Sequence, residues 1–407
     1  MQRQESISPG TDFAGGRHYG LDWLRIGAFA ILIFYHIGLF FVNGEWLVKT
    51  AEPVEWLAIP MVFTTPWRLA LLFAVSGFAS AALLGKLGGI ERFVRERSKR
   101  LLIPLVFAMA VIIPPQSWVG LSFNHGLTES YWTFWSTGYF RFGQLHGVTL
   151  PGWEHLWFVA YLWAFTMVLA IGHFFASGAI RRRIVAAIDW MAQGYRLFWL
   201  PLVYFVPMRA AITFTLGESH GLFDDWLTDA LYLPVFLFGF ALARSPQLWP
   251  AIMRCARPAL LLALASYAVL AALEIRFPDM EGISHAEMAL DRAAVGAMMW
   301  AMVLFLLAIG TRFLNRDHRW RKTLSEAIFP IYILHQTAIV LIGWWLLPYG
   351  LPPLTEFAII LTGTASSCAL FYLVARRVSW LAPVAGLSER KDAPVATAPM
   401  AEPARQS

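Results

Sequence analysis

Ten apolar stretches, each close to the length of a membrane-spanning helix, divide this chain and leave few folds open to it. They fall near 21–42, 66–85, 101–117, 156–176, 197–215, 227–243, 258–275, 291–311, 323–346 and 357–376. A helix needs about 20 apolar residues to cross roughly 30 Å of hydrocarbon. Helices are the default spanning element, because unpaired backbone groups cannot face lipid. Composition excludes the soluble alternative: 58% of the 407 residues are hydrophobic, 14% are charged, and mean hydropathy is +0.56. An average soluble protein has about a quarter of its residues charged. The chain reads as an all-α polytopic membrane protein of about ten transmembrane helices.

The cations orient it. With a cytoplasmic N-terminus, the inner segments (the N-terminus, 86–100, 177–196, 244–257, 312–322 and the chain after 376), together with Arg25 and Arg376 at inner helix ends, hold 26 of the 32 Lys and Arg. The six outer ones are Lys49, Arg68, Arg141, Arg209, Arg276 and Arg292. Every inner segment is basic, as the positive-inside rule requires, so both termini are placed in the cytoplasm and the protein in a bacterial inner membrane. The net charge of +6 is thus spent on topology, and nucleic acid is not an expected partner; the lipid bilayer is. Cys255 and Cys368 lack metal-site or disulfide-framework spacing. Residues 1–19 read as a cytoplasmic N-terminal segment, 20–378 as the transmembrane domain, and 379–407, rich in Ala and Pro, as a disordered tail. The longest outer segment, 117–154, carries Tyr131, Trp132, Phe134, Trp135, Tyr139, Phe140 and Trp153, and is expected to lie on the outer interface and help roof a cavity.

Ionisable residues inside membrane helices are costly, which makes them functional candidates. In LDWLRIGAFAILIFYHIG, Arg25 and His36 stand eleven residues apart. That spacing puts both on one helix face about 16 Å apart, and takes the helix from the cytoplasmic boundary to near the bilayer centre. Alone, Arg25 fits a snorkelling interfacial residue and His36 a carbonyl-bonded core histidine; the shared face favours function. The stretch ERFVRERSKRLLIPLVF gathers Arg92, Arg95, Arg97, Lys99 and Arg100 at a helix start, where free N–H groups and the dipole also attract anions. It reads either as a topology anchor or as a seat for a phosphate-rich ligand, since guanidinium forks suit phosphates. Ser76–Gly77 permits close helix approach. Glu154 and His155 open the fourth helix, and SEAIFPIYILHQ carries His335 near mid-membrane. Arg209 is expected to face a cavity or an acid.

These segments together resemble the acyltransferase 3 family of integral-membrane acyltransferases. The likeness runs through Leu21–Asp22, Arg25 and His36, then Ser76–Gly77–Phe78, then Arg97 and Arg100 followed by LLIP. It continues through His155–Leu156–Trp157–Phe158 to IYILHQ. The LDWLR opening and HLWFVAYL are most similar to the branch that includes glucans biosynthesis protein C. The resemblance implies transfer of an acyl group of the acetyl or succinyl class from cytoplasmic acyl-CoA to a hydroxyl of a periplasmic or cell-envelope carbohydrate. It implies His36 as general base or as an acyl-forming nucleophile, and Arg25, Arg97 and Arg100 as holders of the coenzyme A phosphates. Asp22 would cap the helix or orient an arginine, and Ser76, His155, His335 and Arg209 would support the site. A thioester is activated enough to need no metal, so acyl-CoA is expected as co-substrate with no tightly bound cofactor. A transporter or flippase of about ten helices, or a noncatalytic membrane subunit, would use the same ionisable groups; the missing internal repeat argues against the transporter.

Overall fold

The computed structural model describes residues 18–212 and 221–387. Over the described residues, each of the ten apolar stretches lies on a helix. They are α1 (Tyr19–Phe41), α3 (Arg68–Leu87), α4 (Ile90–Phe107) continuing into α5 (Ile113–His125), α7 (Trp157–Phe175), α9 (Arg196–Ile212), α10 (Trp226–Leu242), α11 (Leu248–Arg276), α12 (His285–Phe313), α13 (Arg321–Leu346) and α14 (Pro353–Arg377). Among the described residues, eight helical spans are long and apolar enough to cross a membrane. The described part of α9 and the whole of α10 are shorter, at 17 residues each. Short α2 (Ala58–Thr64) leads into α3.

The third stretch is longer than its apolar run predicts, because the basic segment and the span form one rod from Ile90 to His125. Between α4 and α5 the rod passes through a π-helical turn, Ala108–Ile112, flanked by Pro104 and by the Pro114–Pro115 pair. Prolines donate no backbone hydrogen bond, and a π turn accommodates the misfit without ending the helix.

Helix α1 packs against α3, α12 and α13, and α3 against α10. The α3–α10 crossing depends on two glycines. A Cβ at Gly77 would collide with the carbonyl oxygen of Phe236, and one at Gly239 with that of Ala74. Without a hydrophobic driving force in lipid, such backbone approach is how helices gain packing energy. Phe73, Phe165 and Phe236 stack beside this crossing, with Tyr161 and Trp300 fully buried in the same core.

Three segments depart from the sequence reading. The inner loop 177–196 contains a helix, α8 (Gly178–Met191), capped by Ser177 and with no buried residue. Its Ile184, Val185 and Trp190 remain exposed, the pattern of a helix lying along an interface. The long outer segment folds as α6 (Tyr131–Thr133), a π turn, a 3-10 turn and a hairpin of β1 (Gly143–Leu145) with β2 (Val148–Leu150). The tail expected to be disordered from 379 is structured as far as 387: α15 (Leu381–Val384) packs on α4 and α14, burying Leu381, Ala385 and Leu387. Its apolar residues find a groove that no pattern in the tail announces. The rest of the tail and residues 1–17 lie outside the described residues.

Candidate active site

Three histidines from three helical elements meet in one cluster. His36 comes from α1, His335 from the middle of α13, and His155 from the 3-10 turn Glu154–Leu156 that opens α7. Ring centroids lie 5.0 Å apart for His36–His335 and His155–His335, and 6.4 Å for His36–His155. The sequence placed His36 and His335 near mid-membrane and His155 at the outer end of the fourth helix; the fold brings all three together, with His36 five residues short of the end of α1 at Phe41, within about 8 Å of that end at 1.5 Å per residue.

Backbone carbonyls set the proton positions, because a carbonyl can only accept. Nδ1–H of His335 donates to the Tyr332 oxygen at 2.7 Å. A neutral His335 therefore presents a lone pair at Nε2, which stands 3.0 Å from Nδ1 of His36. It follows that His36 donates from Nδ1 and keeps Nε2 unprotonated. His155 is fixed in the opposite sense: its Nε2–H is shared between the Tyr332 and Ile333 oxygens at 3.0 and 3.2 Å, and its buried Nδ1 makes no hydrogen bond. The Tyr332 hydroxyl donates in return to the His155 carbonyl, locking the start of α7 to α13.

Two cavities adjoin the cluster, and His36, His155 and Trp157 line both. One, of about 270 Å³, lies between helices and is also lined by Tyr35, Arg68, Arg209, Thr228 and Tyr232. The other, of about 990 Å³, is bounded by Gln144, Thr149, Trp153, Glu154 and Phe223 from the outer segments. The 117–154 segment thus roofs the larger space, as expected, but through its hairpin and Trp153 rather than its whole aromatic run. Phe134 and Tyr139 are spent on the core and Trp132 stays exposed. Arg209 meets both expectations for it, lining the smaller cavity and standing within electrostatic reach of Asp291.

The other expected residues lie away from the histidine cluster. Helix α1 is N-capped at His18, so Asp22 does not cap it; Asp22 instead pairs with Arg321 at 2.7 Å, tying α1 to α13. Arg25 donates to the Ser325 oxygen at 3.4 Å, also on α13. Arg97 is buried, donates to Ser80 Oγ on α3, and leaves its Nε without a partner. Arg100 is exposed. Both arginines stand two to three turns beyond the start of α4 at Ile90, so the free N–H groups of that terminus are about 10–15 Å away and do not share their site. Ser76 contributes a carbonyl that accepts from Ser80 Oγ at 2.8 Å, which steadies the partner of Arg97. Neither cavity is lined by Arg25, Arg97 or Arg100.

Sequence reasoning passed over Arg68, Tyr35, Tyr332 and Trp157 as members of the site. The first had a signal: a cation at the outer start of an apolar helix runs against the positive-inside rule, and Arg68 is one of the six that do.

The acyltransferase domain family (acyltransferase 3) matches residues 18–376. Among curated proteins, the chain is 25% identical over 341 residues to glucans biosynthesis protein C of Salmonella heidelberg (strain SL476), covering 82% of this chain and 85% of that one. The same-named proteins of Salmonella paratyphi B (strain ATCC BAA-1250 / SPB7) and Salmonella schwarzengrund (strain CVM19633) are 25% and 24% identical, with the same coverage. No solved structure matches the chain.

Proposed function

The chain belongs to the acyltransferase 3 family and is a multi-pass membrane O-acyltransferase; from that premise we propose that it moves an acetyl- or succinyl-class group from cytoplasmic acyl-CoA to a hydroxyl of a periplasmic or cell-envelope carbohydrate, from a place in the bacterial inner membrane. The observation that carries this reading is the proton arrangement at His36. Nε2, unprotonated and beside two cavities, can take a proton from an incoming hydroxyl. Histidine has an ordinary pKa near 6.5, which suits proton removal near neutrality.

The residues divide the work by position. His36 is the base, His335 orients it, and His155 offers a second lone pair at Nδ1 beside the outer cavity. Trp153, Trp157 and Phe223 give that cavity aromatic faces of the kind sugar rings pack on. Arg25, Arg97 and Arg100 supply positive charge for the coenzyme A phosphates at the opposite end. Arg25 and His36 are about 16 Å apart along α1, a span for the pantetheine arm. The glucan named by the relatives is the carbohydrate class this reading takes for the acceptor.

Purified protein incubated with labelled acetyl-CoA or succinyl-CoA tests the assignment. Thioester loss that disappears in folded His36→Ala, by about 10²–10⁴-fold as expected for a missing general base, supports it. A transporter or a noncatalytic subunit would leave the thioester intact, and near-wild-type turnover by the variant would remove His36 from the chemistry.

A further inference from the structure

We propose that Arg68 is a catalytic residue, carrying the negative charge that develops on the thioester carbonyl oxygen during acyl transfer. The proposal rests on the acyl-CoA reading above and gives His36 an electrophilic partner.

Arg68 opens α3 and is 5% exposed. Its guanidinium lies 3.5 Å from the centre of the Tyr35 ring, and its Nη1 donates to Thr65 Oγ1 at 3.2 Å. Its Nε is buried and makes no hydrogen bond. Among the described residues no carboxylate pairs with it; the groups that act on it are tyrosines. Arg97 is likewise buried with no carboxylate paired to it among the described residues, but it lines neither cavity; Arg209 and Arg321 differ. Arg209 has Asp291 within electrostatic reach, and Arg321 pairs with both Asp22 and Asp317. A buried charge lacking a counter-ion is costly, and a fold that keeps one gains from it elsewhere.

The gain is placed beside the base. Arg68 and His36 line the same cavity, and Tyr35, which carries the guanidinium, is the chain neighbour of His36 with ring centres 5.8 Å apart. Leu32, Leu69, Phe158 and Met299 form the apolar part of that cavity's wall, and a cation fixed against it acts more strongly than one in water. A neutral thioester makes little demand on it. When the acceptor oxygen bonds to the carbonyl carbon, its proton passes to Nε2 of His36 and the carbonyl π electrons become an oxyanion against Arg68. Collapse re-forms the carbonyl and breaks the C–S bond. The sulfur leaves with the electron pair and takes the proton back from His36 as coenzyme A thiol. An interaction realised only in the transition state raises kcat rather than affinity.

The test compares wild type, Arg68→Lys, Arg68→Met and Arg68→Ala with acetyl-CoA, butyryl-CoA and succinyl-CoA, gluco-oligosaccharides as acceptor, and Tm recorded for each variant. The expected result is a kcat loss of about 10²–10³-fold in Arg68→Met for all three donors, with KM nearly unchanged and a smaller loss in Arg68→Lys. Guanidinium ion added to Arg68→Ala is expected to restore part of kcat, a readout that misfolding would not give. A loss confined to succinyl-CoA and expressed in KM overturns the proposal and makes Arg68 a clamp for a carboxylate on the acyl chain. Equal kcat in all variants also overturns it, while the acyl-CoA reading stands. Wild type that consumes none of the thioesters overturns that reading and this proposal with it.

Discussion

Nδ1 of His36 donates to Nε2 of His335 across 3.0 Å, and this bond leaves Nε2 as the unprotonated nitrogen of His36. His335 is itself held through Nδ1 by the Tyr332 carbonyl. The relay therefore ends on a main-chain group, which has no alternative protonation state to adopt.

In the proposed mechanism His335 is a positioning residue. In His335→Gln the side-chain oxygen can still accept from His36, whereas in His335→Leu nothing can. We expect kcat to fall by about tenfold in the first and by about 10²-fold in the second, within the range of general-base contributions, with KM for acyl-CoA unchanged. Steady-state kinetics on both variants check the order; equal losses would mean that His335 only fills space.

Arg25, Arg97 and Arg100 are expected to act on binding. Neutralising Arg25, Arg97 and Arg100 together to Gln should weaken acyl-CoA affinity by tenfold or more while altering acceptor KM little. The effect of exposed Arg100 should fade at high salt and that of buried Arg97 should persist, since screening acts on exposed charge. Binding isotherms at low and high ionic strength make the distinction. Unchanged affinity in the triple variant would leave the cluster as a topology anchor.

Sidedness follows from the same layout. In sealed proteoliposomes of defined orientation, we expect transfer with acyl-CoA on the face bearing Arg97 and a sugar acceptor on the face bearing Trp153. Mass analysis of each compartment locates the product. A requirement for both substrates on the Arg97 face would exclude passage of the acyl group through the protein.

The α3–α10 crossing supplies a stability prediction. Gly77→Val places side-chain atoms where the Phe236 carbonyl lies, and backbone there cannot yield as a flexible side chain would. Overpacking of this kind costs about 1–3 kcal/mol or more, so Tm in detergent should drop by several degrees. Gly85→Val, where a Cβ meets nothing within 4 Å, should be near neutral and serves as the control.

The helices were legible in the sequence because a membrane imposes a one-dimensional rule. Each span must be apolar over a fixed length, and cations mark the inner ends. That rule places residues along a helix but not around the bundle. Arg25 and His36 could be put on one face of α1 from their spacing, yet nothing in the chain says that His155 and His335, 119 and 299 residues further on, turn to the same point. Their meeting is decided by which helices pack together, and packing here rests on backbone contacts such as Gly77 against Phe236, which local pattern does not encode. The same holds for Arg68. Its type and its expected outer position were in the sequence, while its burial over Tyr35, with no acid paired to it among the described residues, arises only when α1 and α3 lie side by side. Asp22 shows the limit from the other direction: three residues from Arg25, it is held to Arg321, which is 299 positions away in the chain and adjacent in the fold. Sequence settled the class of structure and the candidate groups. Tertiary packing chose their partners, and with them the tautomer of His36 on which the proposed mechanism rests.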